Sequence, residues 1–350
     1  MKPGIVRWGL LGTARINERL IPAIAEHSRS ELVAVASRTE SKAEAYANQR
    51  GIRRSYGSYE ALLQDSEIDA IYLSLPNGFH EEWSIKCAEA GKHVLCEKPL
   101  ALTVEEVDRI IAAAKQYNVI VQEASMYRFH PQTHKVQALV ADGVIGEVRL
   151  LRAVFSFTLV NPGDVRLDPA IGGGSLWDIG VYPVSFFRTI MRANPVEVFG
   201  WQVTGEQEVD MTFMGQLRFA SGALAQFGCS FQASPHTEVE IVGTDGRLKL
   251  NLPWRNRPGE TGHIYVTRKG AASSTATFGD NVGDYVTETV TYPGTASDAY
   301  LSEVESMVSS IMDGTRPEVS LEDSRGNTAT IVALHTSARE NRPVALANEA

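Results

Sequence analysis

Apolar positions in the first 125 residues fall into two alternating textures. Largely apolar runs at residues 5–11, 31–37, 69–75, 93–96 and 119–122 read as buried strands, since strands covered on both faces show no regular polar alternation. Between them lie segments with helical spacing: 15–26, where Ile16, Leu20 and Ile24 recur, then 41–49, 79–90 and 104–117. Thr39 stands where it would cap the second helix, and Gly91 ends the third. Strands separated by helices predict a parallel sheet with right-handed crossovers.

The pattern changes after about residue 145. Residues 147–158 have the β-branched and aromatic content of a long strand. A Gly/Pro/Asp loop at 161–174 and a helix at 175–191 follow, then strands at 196–204, 209–219, 222–232, 236–243 and 246–251. Residues 252–296 are polar and Gly-rich and carry no readable pattern, while 297–312 and 321–338 read as helices. The expected class is α/β: a doubly wound parallel sheet of Rossmann type, then an α+β domain with a large, mostly antiparallel, open-faced sheet. The boundary is expected near 123–130, giving domains 1–125 and 126–350, with a C-terminal helix able to pack back on the first.

Composition narrows the class. With 350 residues, 43% hydrophobic and 21% charged, the chain is ordinary globular material and long enough for a large core, which excludes general disorder. No repeat recurs at solenoid spacing. The 3 cysteines (Cys87, Cys96, Cys229) are scattered, so neither a disulfide framework nor a zinc ribbon is expected. A net charge of -9 gives no general attraction to nucleic acid or anionic membrane. No apolar run approaches a membrane span, and the N-terminal run is short for a signal peptide. A cytoplasmic location follows as the expectation.

The first strand feeds Gly12-Thr13-Ala14-Arg15-Ile16-Asn17, a turn that opens a helix. That geometry binds pyrophosphate at a helix N-terminus. Against G-x-G-x-x-G/A only the first Gly is kept; Ala14 and Asn17 stand at the other two places. An ordinary tight turn is the plainer alternative. At the end of the second strand an acid would accept from a ribose 2′-hydroxyl, but here stand Ser37, Arg38 and Thr39. These donate to a 2′-phosphate, which favours NADP, with NAD possible; a solvated loop charge at Arg38 is the alternative.

The assembly GLLGTARI, LSLPNGFH, AGKHVLCEKPLA and GGGSLWDIGVYPVSFFR, spread over residues 9–188, resembles the Gfo/Idh/MocA oxidoreductase family. It is most similar to the branch with dimeric dihydrodiol dehydrogenase, glucose–fructose oxidoreductase and aldose dehydrogenases. The resemblance implies that Lys98, of Glu97-Lys98-Pro99, and Tyr182 sit beside the nicotinamide, and that the Lys-Pro bond is cis. Tyr182 then exchanges the hydroxyl proton, with Lys98 lowering its pKa from about 10. Asp178, four residues before Tyr182, would hold the reactive hydroxyl or Lys98. Leu75, Pro76, Asn77 and His80 are placed near the cofactor, together with Glu97 and Arg128. Tyr127, Arg166 and Asp168 are candidate substrate contacts, and His130 a further one.

Each residue taken alone has a plainer reading. A lone Tyr in a helix packs, a Lys before Pro sits in a surface loop, Asp178 complements a helix dipole, and Trp8 and Trp177 pack. No motif suggests catalytic zinc or another metal, a hydrolase elbow or a short-chain dehydrogenase dyad. The expected activity is NADP-dependent hydride transfer with a carbohydrate or cyclic polyol, foremost an aldose oxidised at C1. A trans-dihydrodiol or keto-sugar is the alternative substrate. A non-catalytic NADP sensor and a redox-cycling glycosidase are the alternative functions. The open sheet is expected to pair as a homodimer or homotetramer.

Overall fold

The computed structural model describes residues 4–254, 260–269, 285–293 and 298–346. In chain order the elements begin with β1 (Val6–Leu11), α1 (Asn17–Glu26), β2 (Ser30–Ala36), α2 (Glu40–Arg50), β3 (Arg54–Tyr56) and α3 (Tyr59–Leu63). Then come β4 (Ala70–Leu73), α4 (His80–Glu89), β5 (His93–Glu97), α5 (Val104–Gln116), β6 (Val121–Ala124), α6 (Pro131–Ala141) and β7 (Val148–Ser156). Next are α7 (Val181–Met191), β8 (Glu197–Thr204), β9 (Asp210–Arg218), β10 (Leu224–Ser230), β11 (His236–Gly243), β12 (Gly246–Leu250) and β13 (Thr261–Lys269). Last are β14 (Tyr285–Pro293), α8 (Asp298–Asp313), α9 (Leu321–Glu340) and β15 (Val344–Ala345). They form two units: the first takes residues 1–129, 170–172 and 297–328, the second the remainder.

The first unit is built on a parallel sheet in the order β3-β2-β1-β4-β5-β6, the doubly wound sheet that the apolar runs predict. Winding reverses between β1 and β4, and in such sheets the crevice beyond the carboxyl ends at that point is where ligands bind. Trp83, Cys87, Val107 and Ile110 of α4 and α5 bury one face with Leu11, Ile71 and Val94. On the other, Leu20 and Ile24 of α1 and Val304, Met307 and Val308 of α8 pack on Trp8, Leu10 and Tyr72. Short β3, α3 and α6 escape the periodicity reading; β3 is 3 residues long, and all 3 are only partly buried.

The second unit holds a nine-stranded sheet, β14-β13-β12-β11-β7-β10-β9-β8-β15. It is antiparallel except where β7 and β10 run parallel. The unreadable stretch 252–296 contributes the β13–β14 hairpin among its described residues. Period-two alternation puts Phe213, Leu217 and Phe227 on the inner face, where Gly200 N donates to Ser337 Oγ (3.1 Å) and His335 meets Phe213. The outer face exposes Trp201, Val203, Met214 and Leu224, each at least half accessible. The pattern of β7 alone leaves the open side undecided; the structure settles it as the Trp201 side. All three cysteines are buried and free, and no helix among the described residues is long and apolar enough to cross a membrane.

Candidate active site

In the first unit β1 ends in a turn that only glycine fits. Gly12 has φ +104°, and a Cβ there would lie 3.0 Å from Leu75 Cδ2. Asn17, a departure from the fingerprint, is fully buried and its Nδ2 donates to Gly12 O at 3.0 Å, so it closes the turn. Thr13, Ala14 and Ile16 are partly buried and Arg15 is exposed as the chain enters α1. The turn, the helix N-terminus and the glycine that leaves no room for a side chain fit a dinucleotide pyrophosphate. Beyond β2, Ser37 is buried and donates its N–H to Tyr56 O, whereas Arg38 and Thr39 are exposed. Thr39 holds the N-cap position of α2, but its side chain makes no capping hydrogen bond, contrary to the sequence expectation.

Two loops at the carboxyl ends of β4 and β5 are tied together. Leu75, Pro76 and Asn77 are partly buried, and Asn77 Nδ2 donates to Gly172 O at 2.9 Å. His80 is buried, with Nδ1 2.7 Å from Pro99 O and Nε2 2.7 Å from Leu75 O. Both ring nitrogens are thus engaged by backbone. His80 thereby braces the two loops against each other. Burial lowers its pKa, opposed by the two carbonyls. The Lys98–Pro99 bond is cis.

Lys98 is partly buried, and the strands on either side of its loop carry two engaged carboxylates, Glu97 and Glu123. Glu97 accepts from the Tyr72 hydroxyl; burial raises its pKa, opposed first by Tyr72 and then by Lys98. Glu123 accepts from Leu100 N at 3.0 Å and from Ser324 Oγ at 2.6 Å. Arg128 is buried and donates to Asp323 Oδ2 at 2.7 Å, and Tyr127 is 2% exposed, the environment of a packing residue. Both lie in the turn Met126–Phe129, which also packs on α8.

In the second unit the helix expected at 175–191 begins with a π turn, Leu176–Gly180, before α7. Its N-terminus is held from β9: Asp210 Oδ2 accepts from Ser175 Oγ (2.6 Å) and Leu176 N (2.8 Å). Gly174, at φ +117°, leaves room for that carboxylate, since a Cβ there would fall 2.2 Å from Asp210 Oδ1. Burial pushes the Asp210 carboxyl up to about 6. Trp177 packs inward, as expected.

Arg166 Nε donates to Asp178 Oδ2 at 2.7 Å and its Nη1 to Asp164 Oδ1 at 3.1 Å. Asp178 raises the guanidinium pKa further. Two candidates read separately are therefore one ion pair. Asp168 is exposed, and its carbonyl accepts from Gly173 N at 2.9 Å. His130 caps α6, its Nδ1 accepting from Gln132 N at 3.0 Å.

Tyr182 is partly buried against an aromatic wall. Its ring lies 5.4 Å from Phe155 and 5.9 Å from Trp254, and Trp254 stacks on Phe155 at 6.3 Å. The sequence reading misses Phe155 and Trp254 as neighbours of Tyr182, and Glu123 and Asp210 as anchors. The signal for the two carboxylates was an acid within or at the start of a strand, which burial makes costly unless it is hydrogen-bonded.

Two family models match the chain. One, described as an oxidoreductase family with an NAD-binding Rossmann fold, covers residues 6–125; the other, a C-terminal domain of the same family, covers 133–249. An NADP(+) D-xylose 1-dehydrogenase of Haloferax volcanii is 37% identical over 342 residues, 97% of this chain and 99% of that one. A trans-1,2-dihydrobenzene-1,2-diol dehydrogenase of Danio rerio is 34% identical over 253 residues, 70% of this chain and 74% of that one. The crystal structure of an aldose-aldose oxidoreductase from Caulobacter crescentus, complexed with glycerol, superposes with TM-score 0.84 at 26% identity, covering 98% of this chain and 100% of that one.

Proposed function

The chain belongs to the Gfo/Idh/MocA oxidoreductase family, and from that premise we propose that it is an NADP-dependent aldose 1-dehydrogenase. The observation that carries the reading is the 37% identity, over 97% of the chain, to an NADP(+) D-xylose 1-dehydrogenase. Exposed Arg38 and Thr39 at the end of β2, with no acid before Glu40, support the 2′-phosphate preference. The engagement of Arg166 by Asp164 and Asp178 supports an uncharged substrate, because the loop offers a phosphate or carboxylate no unneutralised cation.

In this reading NADP supplies the hydride acceptor. The Gly12 turn and the start of α1 hold its pyrophosphate, aided by Thr13, Ala14, Arg15 and Ile16. Tyr182 takes the proton from the sugar hydroxyl, Lys98 favours the phenolate, and Asp178, anchored by Arg166, orients the hydroxyl. The wall of Phe155, Tyr182 and Trp254 favours a second reading, a trans-dihydrodiol, whose flat ring would lie against aromatic faces. The exposed Trp201 face of the sheet would be covered by a second copy of the chain.

The test is near-ultraviolet absorbance of the protein with NADP or NAD and a panel of aldoses, inositols and dihydrodiols, beside Tyr182→Phe. NADPH formation from one class, lost in the variant, supports the reading and names the substrate. Silence across the panel with NADP still bound would overturn it.

A further inference from the structure

Lys98 is followed by two backbone groups whose partners lie far along the chain. Pro99 O is engaged by His80, and Leu100 N–H donates to Glu123 Oε1 at 3.0 Å. Glu123 lies in β6, whose 4 residues are all buried, and is itself 4% exposed. Sheet packing does not explain an acid there, since an apolar residue would cost no desolvation. Leu100 is fully buried, so water has no access to replace the acceptor. The second oxygen, Oε2, accepts from Ser324 Oγ of α9 at 2.6 Å. Burial raises the pKa of Glu123, opposed by Ser324 and the Leu100 N–H. Either protonation state leaves an oxygen to accept from Leu100.

We propose that Glu123 is a positioning residue for Lys98. By fixing Leu100 it fixes the backbone from which the lysine projects, and through Ser324 it ties that backbone to α9. The flexible four-carbon stem of a lysine does not position its own ammonium. A misplacement of about 1 Å costs on the order of a hundredfold in rate. The inference rests on the catalytic part given to Lys98 above.

The experiment compares the native chain with Glu123→Met, Glu123→Gln and Lys98→Met. It reads hydrogen exchange at the Leu100 amide without ligands, NADP affinity by tryptophan fluorescence, and kcat with D-xylose and NADP per folded molecule. Glu123→Met is expected to speed Leu100 exchange at least tenfold. It should lower kcat about 10- to 100-fold while NADP affinity moves less than about twofold. Glu123→Gln, whose carboxamide oxygen still accepts from Leu100, restores both. A purely structural role would lower the melting temperature and leave kcat per folded molecule intact, which would overturn the proposal while Lys98→Met stays inactive. If Lys98→Met keeps native kcat, the functional reading itself falls. Should Glu123→Met not fold, Ser324→Ala takes its place: a fall of about threefold in kcat at constant NADP affinity is expected, and an unchanged kcat overturns the proposal.

Discussion

Arg166 donates through Nε to Asp178 Oδ2 at 2.7 Å, so the acid four residues before Tyr182 is anchored by a loop that precedes its own helix. Replacing Arg166 by Met removes that anchor and leaves Asp164 and Asp178 without their shared cation. We expect the KM for the sugar to rise about tenfold, the scale of one charge-assisted hydrogen bond, with a smaller fall in kcat. Steady-state kinetics check this, and a native KM would remove Asp178 from substrate orientation.

Arg38 is exposed at the end of β2 with no acid beside it until Glu40. Arg38→Ala should weaken NADP about 10- to 100-fold and leave NAD within about twofold, because only the 2′-phosphate distinguishes the two. Titration of both cofactors by fluorescence decides it; equal losses would show a general role in dinucleotide binding.

Asp210 couples pH to the start of the π turn that leads into α7. Its native pKa of about 6 lies above the unfolded value of 3.8, so the folded state binds the proton more tightly. Stability from this group is present below about pH 4 and is lost as pH rises through 6. A shift of about 2 units corresponds to about 3 kcal/mol. Asp210→Asn keeps an acceptor and cannot ionise. Urea unfolding of both proteins from pH 4 to 7 should show the variant gaining on the native chain by about that amount, while a constant difference would refute the assignment.

His80 joins Pro99 O and Leu75 O, each at 2.7 Å, inside the first unit. With its pKa lowered by burial, the ring carries one N–H and donates to one carbonyl at a time, so His80→Leu leaves one carbonyl without its donor, at about 1–3 kcal/mol. Chemical unfolding should register a loss of about that size, and a loss under about 1 kcal/mol would mean that water reaches these carbonyls.

The outer face of the nine-stranded sheet exposes Trp201 and Met214, which stand opposite each other on β8 and β9. If a second copy covers this face, Trp201→Arg combined with Met214→Glu should turn a dimer into a monomer. Sedimentation velocity reads the outcome, and an unchanged mass would place the partner elsewhere.

The alternation of apolar runs with helical spacing was enough, by itself, to specify the parallel sheet, because strands buried on both faces are mostly apolar. Gly12 was legible for a local reason, a turn that demands positive φ. Lys98, Asp178 and Tyr182 became visible only as members of a family pattern, since nothing local marks a lysine, an aspartate or a tyrosine as reactive. What the tertiary structure decided is the company these residues keep. Glu123 reaches Ser324 across 201 positions of sequence, Asp210 reaches Ser175 across 35, and Phe155 and Trp254 meet Tyr182 from separate segments. Residues 252–296 were read as polar and Gly-rich, yet β13 within them alternates, Ile264 and Val266 buried between partly buried neighbours, and pairs antiparallel with β14. A one-dimensional pattern records which face a residue buries; which partner waits on that face is fixed only when distant segments pack together.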